Sequence, residues 1–197
     1  MISNLLEKKN RSGLFMLLAS IMLLGLFLFP LWKIRLEAPQ YPDGVNMYIW
    51  INQITGDSPS TLQNINILNH YIGMQYIKPD SIPELKYFPF VVILMTLLGI
   101  GVAFSKKRKL FISWGILLVI LGILGIYDFY LWEYDYGHNL SPNAPIKIPD
   151  MVYQPPLLGS KMLLNFNAIS FPHTGSIFLG LAIVFNFLSF TLLWKKK

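Results

Sequence analysis

The chain contains no cysteine. That absence excludes disulfides, thiolate zinc sites, iron–sulfur clusters and covalently attached haem together. Charge is scarce as well. Only 13% of residues are Asp, Glu, Lys or Arg, about half the ~25% of an ordinary soluble domain. There are three histidines, at positions 70, 138 and 173. None lies in a long apolar run, so a haem held between membrane helices would have no axial histidine. The sequence has no Gly-rich phosphate loop, nucleophile elbow or His-Glu-x-x-His motif. The chain is therefore not expected to be an enzyme. The long runs also carry almost no polar side chains besides Asp128 and Asn186, too little lining for a pore or transporter.

What the chain has instead is hydrophobic length. Residues 14–31, 88–104, 110–131 and 176–194 are nearly free of charge. As helices they would be ~25–33 Å long, matching a ~30 Å hydrocarbon layer. The net charge of +6 is gathered in three clusters: Lys8, Lys9 and Arg11; Lys106, Lys107, Arg108 and Lys109; and Lys195, Lys196 and Lys197. Clusters this short, placed at span ends, indicate topology, and binding to nucleic acid is not expected. With four spans all three fall on one side, which the positive-inside rule makes cytoplasmic. That side then holds ten bases and one acid, and the other six bases and nine acids. Trp32, Tyr87, Trp132 and Trp194 lie near span ends, as interfacial aromatics do. No small-x-small cleavage site follows the first span, so it is expected to remain as an anchor.

The predicted fold is an all-α membrane protein of one domain, residues 1–197, with four transmembrane helices and a small periplasmic cap. Both termini would be cytoplasmic, in a bacterial inner membrane, with residues 33–87 and 133–175 outside. In the first external segment, Ile34, Leu36 and Ala38 alternate with polar residues, "YPDG" reads as a turn, and Val45, Met47, Ile49 and Ile51 alternate again. This is a β-hairpin signature. A short helix should follow, capped by Ser58 or Ser60, carrying Leu62, Ile65, Leu68 and Ile72 and ending at Gly73. In the second segment, five prolines between 142 and 156 predict extended chain rather than sheet, and "LLGSKMLLNF" predicts one or two helical turns.

All three histidines fall in these external segments, with Met47, Met74, Met151 and Met162. Imidazole and thioether suit copper, and thioether favours copper(I). His70 and Met74, at i and i+4, would share a helix face if the helix runs one residue past Gly73. His138, Met151 or His173 would then supply a third ligand. The plainer alternative is that Met47 fills the core beside Val45 and Ile49 and that His70 only hydrogen-bonds a loop carbonyl. Asp128 lies about one turn inside the outer end of the third span. Either it helps draw a cation towards this site, or it pairs with Tyr, Lys or Arg at headgroup level. The metal-ligand candidates are therefore His70, Met74, His138, Met151 and Asp128.

The stretches "LEAPQYPDGVNMYIWINQITG", "LQNINILNHYIGM", "IPEL", "HNLSPNAPIKIPDMVYQPPLLG" and "LLNF" resemble a family of small bacterial membrane proteins. Genes of that family lie near those for nitrous oxide reductase of the clade II type and its copper-maturation machinery. The resemblance covers nearly the whole chain. It implies an accessory, non-catalytic role in maturing a periplasmic copper enzyme for denitrification. The implied partners are membrane lipid and a copper-maturation transporter, a copper chaperone or the enzyme itself. His70, Met74, His138, Met151 and Tyr153 fall within the matching stretches; His173 does not. A metal-free docking partner of a transporter, lipoprotein or redox complex is the alternative.

Overall fold

The computed structural model describes residues 2–105, 107–148 and 151–194. Lys106, Lys195, Lys196 and Lys197 lie outside the described residues, as do the side chains of Lys8, Lys9 and Trp194.

Four helices are long and apolar enough to cross a membrane. These are α1 (Ile2–Met22), α3 (Glu84–Ser105), α4 (Arg108–His138) and α5 (Thr174–Trp194). The first departs from the expected run. Regular helix stops at Met22, a 3-10 turn covers Leu23–Phe27, and Pro30 ends the element before the chain turns into a sheet. Small residues set the helix spacing. A Cβ on Gly99 would strike Ser20 and Trp114, and one on Gly115 would strike Asn186. Side chains then bond across the bundle: Asn186 donates to the Phe111 carbonyl at 3.0 Å, and Ser12 to the Ser189 carbonyl at 2.6 Å. Close backbones with scattered polar bonds are how helices associate where lipid removes the hydrophobic drive. Met16, Phe111, Trp114 and Ala182 fill the centre, while Leu97, Ile123 and Phe187 face outward.

Most of the described chain between α1 and α3 and between α4 and α5 gathers into a second unit with its own core. It contains a five-stranded antiparallel sheet in the order β3-β2-β1-β5-β4. The strands are β1 (Trp32–Ala38), β2 (Tyr41–Ile49), β3 (Ile54–Gly56), β4 (Gly159–Leu163) and β5 (Phe166–Pro172). The predicted hairpin is there as β1 and β2, but its turn falls at Pro39 and Gln40. "YPDG" belongs to β2, where Gly44, at φ 74°, accommodates a bulge opposite Leu36 and Ala38.

Between α4 and α5 the structure also departs from the expected elements. Residues 159–172 form a β-hairpin, not helical turns. Leu163, Phe166 and Ala168 alternate inward, Leu164 turns the chain at φ 57°, and β1 offers β5 a long antiparallel edge. Among its described residues the Pro-rich stretch before it forms neither strand nor helix, and it turns at Pro142 and Asn143. It is pinned by bonds from Ser141 N–H to the Gly73 carbonyl (2.7 Å) and from Ile146 N–H to the Tyr71 carbonyl (2.9 Å).

Helix α2 (Thr61–Ile72) lies where the sequence places it. Gly73 ends it at φ 82°, and the Met74 N–H returns to the Asn69 carbonyl at 2.9 Å. The third span was predicted to end at Leu131, yet α4 runs on to His138. At 1.5 Å per residue it is ~46 Å long against ~30 Å of hydrocarbon. That excess length lets its last two turns pack into the cap.

Candidate functional site

The projecting end of α4 carries Phe129, Trp132 and Tyr136 on one face. Phe129 meets the Trp32 ring edge-on at 5.5 Å, and Trp132 lies 4.3 Å from Tyr136. Glu133 shares that face and is fully buried. It borders a cavity of about 40 Å³ lined by residues of the sheet, α2, α4 and the Pro-rich segment. Met47 comes to it from β2, Asn69 from α2, Met74 from beyond the α2 cap, and Tyr153 from the Pro-rich chain. Both Glu133 carboxyl oxygens and the Tyr153 hydroxyl have no hydrogen-bond partner. Apart from Trp132 and Tyr136 the remaining lining is apolar, and among the described residues no Lys, Arg or His contributes to it. Burial pushes the Glu133 carboxyl up to about 8, so at neutral pH it holds its proton.

Tyr136 closes one side. It lines both this cavity and an open cleft of about 440 Å³ bordered by Gln75, Tyr76, Lys78 and Ser81. Its hydroxyl donates to the Tyr76 carbonyl at 3.1 Å. Burial and the nearby Asp135 charge hold its phenol above the usual tyrosine range, so it remains a donor.

The predicted ligands are distributed around this centre. Met74 is half-buried and lines the cavity. His70 is exposed, stacked on Tyr76 with ring centres 6.2 Å apart. The left-handed Gly73 breaks the helix before Met74, so the i, i+4 face that would pair them ends first. His138 stacks on Tyr134 at 3.7 Å, with its Nδ1 2.8 Å from the Tyr134 carbonyl. Met151 packs half-buried on the cap core. Asp128 is half-buried in the spanning part of α4. His173 lies edge-on to Tyr48 at 5.4 Å, and its Nδ1 is buried without a partner. Among the described residues, no three His, Asp or Glu side chains gather as metal ligands would.

Sequence reasoning missed Glu133, having made it the first residue of a solvent-facing segment. The available signal was the continued helical spacing of Phe129, Trp132 and Tyr136, with Glu133 four residues after Phe129 on the same face. No protein-family model matches this chain, and no curated protein matches it either.

Proposed function

We propose that the chain is a multi-pass inner-membrane accessory factor for maturation of a periplasmic copper enzyme of the nitrous oxide-reducing kind. It acts without catalysis, offering copper(I) a weak, exchangeable site on a cap that faces the periplasm while both termini stay in the cytoplasm. The observation that supports this reading is the meeting of α2 and α4 at their C-terminal ends. Ser141 N–H bonds the Gly73 carbonyl at 2.7 Å. The ends of the elements that carry His70, Met74 and His138 are thereby joined, and Met151 packs on the same core. Both ends present the negative pole of a helix, which favours a cation. The basic clusters and the family resemblance support the orientation and the copper context.

The test is copper content in the periplasmic enzyme of cells lacking this chain. Under-metallated enzyme, restored by the wild-type chain, is the expected result. Full metallation in its absence would reject the role.

A second reading has its own support. Ile67, Tyr71 and Tyr76 are each about half exposed around His70, and tyrosine is enriched where proteins dock. On that reading the cap binds a transporter, lipoprotein or redox complex without metal. Co-purification of a stable partner from native membranes, with no copper, would favour it.

A further inference from the structure

A fully buried carboxyl with neither oxygen paired is rare in folded proteins and calls for an occupant. Glu133 has that arrangement, and Tyr153 adds a second unpaired oxygen at the same cavity. The space, about 40 Å³, exceeds the ~10–15 Å³ that a water-sized occupant needs. We propose that Glu133, Met47 and Met74 form a site inside the cap for one soft monovalent cation of the copper(I) class, reached past Tyr136. The inference deepens the copper reading above and rests on it for the natural ion, but it puts the ion inside the cap instead of beside His70.

Charge and donor type select this class. The incoming ion displaces the proton that Glu133 holds at neutral pH, and that proton leaves to solvent. The carboxylate then supplies one negative charge; among the described residues no other charged side chain lines the cavity. A monovalent ion is neutralised there; a divalent one would leave a net positive charge in apolar surroundings. Hard cations such as calcium need six to eight oxygen ligands. The cavity offers the Glu133 carboxyl, the Tyr153 hydroxyl and an Asn69 amide whose nitrogen already donates to the Gln75 carbonyl. Two thioethers and a carboxylate suit a soft ion of low coordination number. Tyr136 is the side chain common to the cavity and the open cleft, so breaking its bond to Tyr76 opens a way in from the cleft.

The experiment titrates the full-length, detergent-purified protein with silver(I), a redox-stable probe, and with copper(I) against a competing chelator. Wild type should bind one ion per chain. Glu133→Gln removes the charge and Met47→Leu the sulfur, both at nearly constant volume, and each should weaken binding by at least about tenfold. Met162→Leu, at an exposed methionine that does not line the cavity, should leave the affinity unchanged, and excess sodium should not compete. Should Glu133→Gln fail to fold, Met47→Leu and Met74→Leu decide the outcome. Undiminished binding in the cavity variants, or no binding by wild type, overturns the site and leaves water as the occupant. Binding lost in His70→Ala but kept in the cavity variants also overturns it, while the accessory role stands.

Discussion

The Tyr153 amide donates to the Gly137 carbonyl across 3.1 Å, tying the Pro-rich segment to the last turn of α4. Gly137 allows that approach because it has no side chain. A Cβ there would lie 2.3 Å from the Gln154 Cα and 2.4 Å from its amide nitrogen. Those atoms are backbone and cannot rotate away. Gly137→Ala should therefore lower stability by about 1–3 kcal/mol, the usual cost of forcing atoms into a packed site. Thermal unfolding in detergent measures this. Gly180→Ala, which meets nothing within 4 Å, should be neutral or slightly stabilising.

Inside the bundle, Asn186 should matter more than its bond to the Phe111 carbonyl implies, because it also donates to the Met16 sulfur and fills the notch at Gly115. Asn186→Leu should weaken helix association by about 0.6–2 kcal/mol, the range for interhelical polar bonds in membranes. Unfolding by added anionic detergent, followed by circular dichroism, provides the measurement. Undiminished resistance would mean that packing alone holds α4 to α5.

The parts of this molecule legible in sequence are those governed by local pattern. Four apolar runs give four long helices, Gly73 ends α2 where its type predicts, and Met47 alternates into the core. The misread parts depend on distant partners. Residues 159–172 become strands because β1 offers an edge more than a hundred positions earlier, and Gly44 serves a bulge defined by Leu36 and Ala38. Glu133 was hidden for a related reason. A charged residue just past an apolar run looks solvent-facing until α2 and the Pro-rich chain are folded over it. His70 and Met74 were paired on helical spacing, and the left-handed Gly73 that ends the helix directs them differently.

Glu133 makes cap stability depend on pH with a definite sign. Unfolded, the carboxyl titrates near its ordinary 4.5; folded, burial raises it to about 8. Between those values the unfolded chain holds fewer protons, so stability falls as pH rises through the window. Melting temperature should decline from pH 5 to pH 8 in wild type. The decline should flatten in Glu133→Gln, which cannot ionise.

Asp57 acts in the opposite direction. Its slight burial disfavours the charge, but bonds from the Asn46 side chain, the Tyr48 hydroxyl and the Asn46 amide, with the Lys33 charge, outweigh that and hold the carboxyl below the ordinary range. This contribution is present above the unfolded value and is lost as pH falls through the lowered folded one. Asp57→Ala should cost about 0.5–1.5 kcal/mol near neutrality, the net worth of such a bond. The difference from wild type should shrink in acid.

The account rests on the cap, with Glu133, Met47 and Met74, lying on the opposite side of the membrane from the loop joining α3 and α4. Because the chain has no cysteine, one introduced thiol reports its own location without background. Asp80→Cys, exposed on the cap, and Lys109→Cys, exposed beside that loop, are treated in intact spheroplasts with a membrane-impermeant maleimide. Labelling at position 80 alone, with position 109 reacting only after lysis, is the expected result. Labelling at 109 in intact spheroplasts, with 80 protected, would contradict the account.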